Sequence, residues 1–153
     1  MRIRGFHPDD TAIIVELFRD TVHQVNSRDY TREQVEAWAP QEIDQERWLA
    51  RLANSFTLVA VDGGQIIGFA NLESDGHLDC IYAHAQHQGR GVGTALLTAI
   101  EVRARELGLT RLFAEVSITA RPFFEHRGFV VVEERRVHCR EVWFINYRME
   151  KRL

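Results

Sequence analysis

The stretch "QGRGVGTALL", residues 88 to 97, sets Gly89, Gly91 and Gly93 in alternation and then turns apolar. The apolar part reads as a helix start, where the first N–H groups lack intrahelical partners and lie at the positive end of the dipole. Glycines just before such a start let an anion approach those amides with no Cβ in the way. The chemistry this suits is binding of a pyrophosphate on the amides of residues 89 to 94, with Arg90 adding charge from the rim. A strand-to-helix turn needing positive φ angles is the bland alternative, for which one glycine would serve. Spacing narrows the ligand. A Walker loop needs a lysine that is missing here, and GxGxxG runs into Thr94 from Gly89 and into Leu96 from Gly91.

The loop has to be held by its neighbours in the chain. Residues 2 to 6 read as a strand, and Pro8, Asp9 and Asp10 as a helix start. Ile13, Ile14, Leu17, Phe18, Val22 and Val25 recur at helical spacing, predicting one buried face. Thr31 and Gln34 are spaced as a capping box for a second short helix carrying Val35 and Trp38, which Pro40 stops. "IDQERWLARLAN" predicts a third, with Trp48, Leu49 and Leu52 inward. "FTLVAVD", "QIIGFANLES" and "HLDCIYAH" are β-rich and separated by "GG" and "DG", which predicts an antiparallel meander. After the glycine loop come a helix from about Gly91 to Leu107, the strand "RLFAEVS", a short helix closed by Gly128, and a last hairpin. The expected architecture is a single α/β domain over residues 1–153, with a mixed, mostly antiparallel central sheet flanked by helices. The strand–loop–helix–strand segment demands a parallel crossover, where neighbouring strands can diverge and leave a cleft.

Bulk properties exclude several classes. A chain of 153 residues has the size of one domain. No apolar run approaches a membrane span and no secretory leader opens the chain, so a cytoplasmic protein is expected. Nineteen basic and 22 acidic residues are interspersed, giving a net charge of −3 and no nucleic-acid footprint. Cys80 and Cys139 stand far apart in apolar stretches and read as free thiols. Seven scattered histidines show no ligand spacing, so no metal is expected.

Gln88-x-x-Gly91-x-Gly93, preceded by "IYAH" and followed some thirty residues on by "SITARPFFEHRGF", resembles the two signatures of the GNAT superfamily of acetyl-CoA-dependent N-acyltransferases. The order of elements matches along essentially the whole chain, and "TVHQVNSRDYT" is similar to a subgroup of small bacterial members. The resemblance implies a fold with splayed central strands and acetyl-CoA as co-substrate, without a metal. It implies transfer of acetyl to a primary amine of a small molecule, amino-acid derivative or protein, by a monomer or homodimer. The alternative is a non-enzymatic acyl-CoA-binding or sensing module.

Carried onto this chain, the resemblance puts the pyrophosphate on Gln88, Gly89, Arg90, Gly91, Val92, Gly93 and Thr94. The pantetheine arm would run along Ile81, Tyr82 and Ala83 and contact Ser117 and Phe124. The base would come from the strand before the loop. His77 and Asp79 fit there, and alternation places them with Ile81 and Ala83 on one face and Tyr82 on the other. His77 can also be a solvent-facing residue after the Asp75-Gly76 turn, and Asp79 a partner for backbone or an arginine. Ser117 can equally cap the short helix together with Thr119. Phe124 is a departure: relatives often carry a tyrosine there to protonate the leaving sulfur, which a phenyl ring cannot do. For the acceptor, His23, Asn26, Asp29, Tyr30 and Trp38 are candidates, against a simple role in capping and packing.

Overall fold

Short-range chemistry sets the helix boundaries. In the computed structural model, which describes residues 1–153, strand β1 (Arg2–Gly5) leads into a 3-10 turn at Pro8–Asp10. His7 caps that turn, Asp10 accepts from the His7 amide, and Arg4 closes a bidentate pair on Asp10 (2.9 and 3.0 Å). Helix α1 (Thr11–Gln24) follows, with Ile14, Leu17, Phe18 and Val22 buried. Helix α2 (Arg32–Trp38) carries the Thr31/Gln34 capping box expected of it, and α3 (Gln45–Ala53) is capped by Asp44. Two core assignments fail. Ile13 is 50% exposed and Leu49 36%, because Ile13 stands about 130° and Leu49 about 80° round its helix from the centre of the buried stripe.

The meander is β2 (Phe56–Asp62), β3 (Gln65–Leu72) and β4 (Leu78–Ala83), and it joins β1 in a four-stranded antiparallel sheet ordered β1-β2-β3-β4. Then come α4 (Val92–Glu106), β5 (Arg111–Ser117), α5 (Arg121–Glu125), β6 (Val130–Cys139) and β7 (Val142–Arg152). The last three strands form a second antiparallel sheet ordered β5-β7-β6. One core packs under α1 to α3, around Ile14, Leu52 and Phe69. The other packs under α4, around Leu96, Ile100, Leu112 and Met149. No helix is long and apolar enough to cross a membrane.

The two sheets touch along a seam between β4 and β5. Those strands run parallel and share one bridge, His77 with Phe113, reinforced by the Phe113 amide donating to Gly76 O at 3.1 Å. Beyond that point they are unpaired, which is the expected splay. A bulge lies at the same place. Asn71 and Leu72 are adjacent on β3 yet face Cys80 and Leu78, so Asp79 is the extra residue on β4. The bulge overturns the expected alternation. His77 and Asp79 still share the α3 side, but Ile81 and Ala83 now pack toward α4, while Cys80 and Tyr82 pack toward α1 and α3.

Candidate active site

The glycine loop has a physical reason at each position. Gly89 (φ 71°) and Gly91 (φ 80°) adopt the left-handed region that side chains disfavour, and both open to solvent. Gly93 serves a different need: a Cβ there would lie 2.9 Å from the Phe123 ring. The turn reading therefore holds for two glycines and close packing for the third. The loop also leaves donors free that an anion could take, because the N–H groups of Gly89 to Thr94 have no acceptor within the protein; the first amide of α4 to be paired is that of Ala95, on Gly91 O. Gln88 acts one step back, donating to Ala83 O (2.7 Å) and so tying the loop to the end of β4. Arg90 is exposed at the rim. Arg127, which sequence reasoning missed, covers the Phe123 ring at 3.8 Å and donates to Thr94 Oγ1.

From the loop a narrow groove of about 200 Å³ runs between β4 and β5. Ile81, Tyr82 and Ala83 form one wall, Ser117 and Phe124 the other. On β4, alternate backbone groups that β3 does not use turn toward this gap. Ser117 Oγ accepts from the Ala120 amide (3.0 Å) and from Asn26 Nδ2 (3.2 Å), so it caps the turn into α5 and borders the groove at once. Thr119 does not share that capping; its buried hydroxyl has no partner and lines the groove. The unpaired loop amides and this hydroxyl fit the phosphate and amide-bearing arm of a coenzyme A thioester. Phe124 is 3% exposed, edge-on to Phe129 at 4.9 Å.

A second cavity of about 550 Å³ opens on the other side, between α2, α3 and the β6–β7 sheet. The two cavities share Trp38, Asp79, Cys80, Tyr82, Glu115 and Ser117. They meet at the seam, where the bulge pushes Asp79 out of register.

The titratable groups at the seam are tightly paired. His77 bridges Glu73 on Nδ1 and Glu115 on Nε2 (2.6 Å), and stacks on Phe113 with centroids 5.1 Å apart. Glu115, outweighing burial and helped by Glu73, pushes the His77 pKa up to about 9. His77 is therefore an imidazolium at neutral pH, lies outside both cavities, and in that state has no lone pair to accept a proton. In return it holds the Glu115 carboxyl below its usual range. Burial raises Asp79, but Arg51 (2.6 and 2.8 Å) and Asn71 (2.9 Å) outweigh it and keep the group ionised. Glu73, His77 and Asp79 bring ligand-type atoms within 4.8 Å of one another, with Arg51 already on both oxygens of Asp79. Burial lifts the Cys80 thiol to about 12 and the Tyr82 phenol well above its ordinary value, so both stay protonated.

The acceptor candidates divide. Trp38 borders both cavities, and Tyr30 offers its ring to the larger one. The Tyr30 hydroxyl is used: it donates to Ile145 O (2.6 Å), accepts from the Ile118 amide (2.9 Å), and burial raises it to about 12. Asn26 lies in the groove instead. His23 donates to Ala39 O (2.7 Å) and reaches neither cavity, and Asp29 is exposed outside both. Arg51 and Glu115 were missed because their partners lie far off in sequence, and Asn71 because its contact with Asp79 depends on how β3 and β4 pair.

A family described as acetyltransferase (GNAT) domain matches residues 26–151. The chain belongs to the GNAT acetyltransferases. It is 35% identical over 149 residues to the uncharacterized N-acetyltransferase YafP of Escherichia coli, covering 97% of this chain and 94% of that one. A GCN5-related N-acetyltransferase from Rhodopseudomonas palustris superposes with TM-score 0.96 at 36% identity, covering 99% of this chain and 95% of its own. PaiA N-acetyltransferase from Thermoplasma acidophilum, solved in complex with coenzyme A, shares the fold (TM-score 0.83, 20% identity, 99% and 98% covered). This chain is accordingly an acetyltransferase.

Proposed function

We propose that this protein transfers the acetyl group of acetyl-CoA to a primary amine entering from the larger cavity, by direct attack on the thioester. The meeting of the two cavities at Asp79, Tyr82 and Glu115 carries the reading: one side suits a thioester arm, the other admits a second substrate. A primary amine arrives as an ammonium at neutral pH, and the ionised Asp79 and Glu115 attract it. The ammonium first gives one proton to water, which frees the lone pair, and a second proton leaves through water toward Glu115 as the nitrogen bonds to the acyl carbon. The carbon–sulfur bond then breaks and sulfur departs as thiolate. A thiol of pKa about 8.5 leaves readily without full protonation. Tyr82 can lend that sulfur a hydrogen bond, but its raised pKa makes complete proton transfer uphill, so water supplies the proton. His77 positions Glu115 and takes no proton itself.

The test is release of free thiol from acetyl-CoA across a panel of primary amines, with coenzyme A binding measured in parallel by calorimetry. Coenzyme A binding without turnover of any amine would replace transfer by an acyl-CoA-binding role.

A further inference from the structure

The larger cavity holds charges that acetyl transfer to a simple amine does not use. Its cations are Arg47, Arg51 and Arg140, and its carboxylates Asp44, Asp79 and Glu115. Arg51 is matched by Asp79, and Glu115 by His77. Asp44 turns an oxygen onto the Glu46 and Arg47 amides, as the cap of α3. Arg47 has no carboxylate partner. Arg140 has none either; it reaches into the cavity from the β6–β7 turn and is steadied by a bond to Ala37 O (2.6 Å).

The spacing of these charges has a direction. Arg47 and Arg51 are four residues apart on α3, so they share a face about 6 Å apart along the axis. Arg51 marks the seam by its pair with Asp79, which puts Arg47 one turn farther out. Beside Ser117, which both cavities share, Asn146 stands opposite on β7, and its buried Oδ1 has no partner. That oxygen can accept from an amine N–H. Between the two ends the walls are aromatic, with Trp38, Trp48 and Phe144.

Resting on the acetyl-transfer reading, we propose that the acceptor is an amine bearing a carboxylate roughly one helical turn (about 6 Å) away across an apolar body. Asp79, Glu115 and Asn146 receive the nitrogen, and Arg47 with Arg140 receive the carboxylate. An α-amino acid, whose carboxylate adjoins the amine-bearing carbon, is too short to engage both ends.

Matched probes test this. 4-(Aminomethyl)benzoate places its carboxylate across a ring from the amine, and benzylamine lacks the carboxylate. Wild-type protein should favour 4-(aminomethyl)benzoate in kcat/KM by roughly tenfold to a hundredfold, the worth of a charge-assisted pair. The ratio should collapse in Arg47→Gln and in the Arg47→Gln/Arg140→Gln double variant. L-phenylalanine should gain no comparable advantage over phenethylamine. A ratio near one in wild type, a ratio surviving in the double variant, or an equal gain for phenylalanine overturns the inference while leaving acetyl transfer standing. If neither probe is turned over, calorimetry on coenzyme A-saturated protein decides. Binding of 4-(aminomethyl)benzoate that the double variant loses supports the anion site although transfer has failed; absent or unchanged binding overturns it.

Discussion

His77 Nε2 lies 2.6 Å from Glu115 Oε2 across the seam between the two sheets, beside the one bridge that joins β4 to β5. The pair couples the sheets electrostatically, and its strength depends on pH with a definite sign. The His77 pKa is raised from 6.5 to about 9, so its contribution is complete below 6.5 and is lost as pH rises through about 9. Glu115 is lowered, so its contribution is present above its usual 4.5 and is lost as pH falls through the depressed value. Wild-type stability should therefore decline on the alkaline side by on the order of 1 kcal/mol more than that of His77→Gln. Thermal melts of both proteins from pH 6 to 10 check this. Parallel curves would mean that His77 does not titrate as the geometry requires.

The same pair separates a positioning role from a catalytic one. Glu115→Gln removes the proton acceptor at the seam and should lower kcat by roughly 10²–10⁴-fold. His77→Gln keeps that carboxylate but takes away the cation beside it, so the acidic limb of the pH–kcat/KM profile should move upward with a smaller loss at its plateau. Restoring a cation with His77→Lys should bring the limb partly back. Equal plateau losses in Glu115→Gln and His77→Gln, with no movement of the limb, would return His77 to the role of base.

Much of this arrangement was legible in the residues, and the part that was not has one physical origin. Capping at Thr31/Gln34 and the left-handed Gly108 are local, so their chemistry is written within four or five neighbours. The glycine loop with its unpaired amides is local too. Asp79 is different, because a bulge is decided by how β3 and β4 pair, and neither strand announces it. One extra residue exchanged the faces of Ile81 and Tyr82 and brought a phenol to the seam that strict alternation had excluded. Arg51 and Glu115 stand 28 and 38 residues from the groups they bind. Only the folded chain brings them together.

Substitutions in the glycine loop should act by two separate routes. Gly91→Ala meets no neighbour but forces a side chain into φ 80°, a strain of about 1–2 kcal/mol. Its main effect should be on ligand, with coenzyme A affinity reduced tenfold or more. Gly93→Ala drives a methyl to within 2.9 Å of Phe123, and overpacking of that kind costs about 1–3 kcal/mol. It should lower the melting temperature as well as the affinity, since Phe123 lies on α5 under Arg127. Calorimetry with coenzyme A and thermal melts distinguish the two. Unchanged affinity in Gly91→Ala would remove the pyrophosphate from this loop.

The leaving sulfur offers the remaining test, through Phe124 and Tyr82. Phe124 is buried against Phe123 and Phe129, so a hydroxyl added there enters an apolar cluster at the edge of the groove. Phe124→Tyr should cost some stability. If thiolate departure needs no side-chain acid, kcat on the best amine should change by less than about tenfold, a barrier change under about 1.4 kcal/mol. Tyr82→Phe probes the phenol that the bulge brings to the seam. Its hydroxyl stays protonated and can support sulfur by a hydrogen bond worth about 0.5–1.5 kcal/mol, which corresponds to a loss in kcat of roughly twofold to tenfold. A loss of a thousandfold in Tyr82→Phe would make that phenol the acid despite its raised pKa, with burial relieved once the arm is bound. A hundredfold gain in Phe124→Tyr would mean instead that protonation limits the natural protein. Steady-state rates of both variants and their double, on one amine at saturating acetyl-CoA, separate these outcomes, because two hydroxyls serving one sulfur must show non-additive effects.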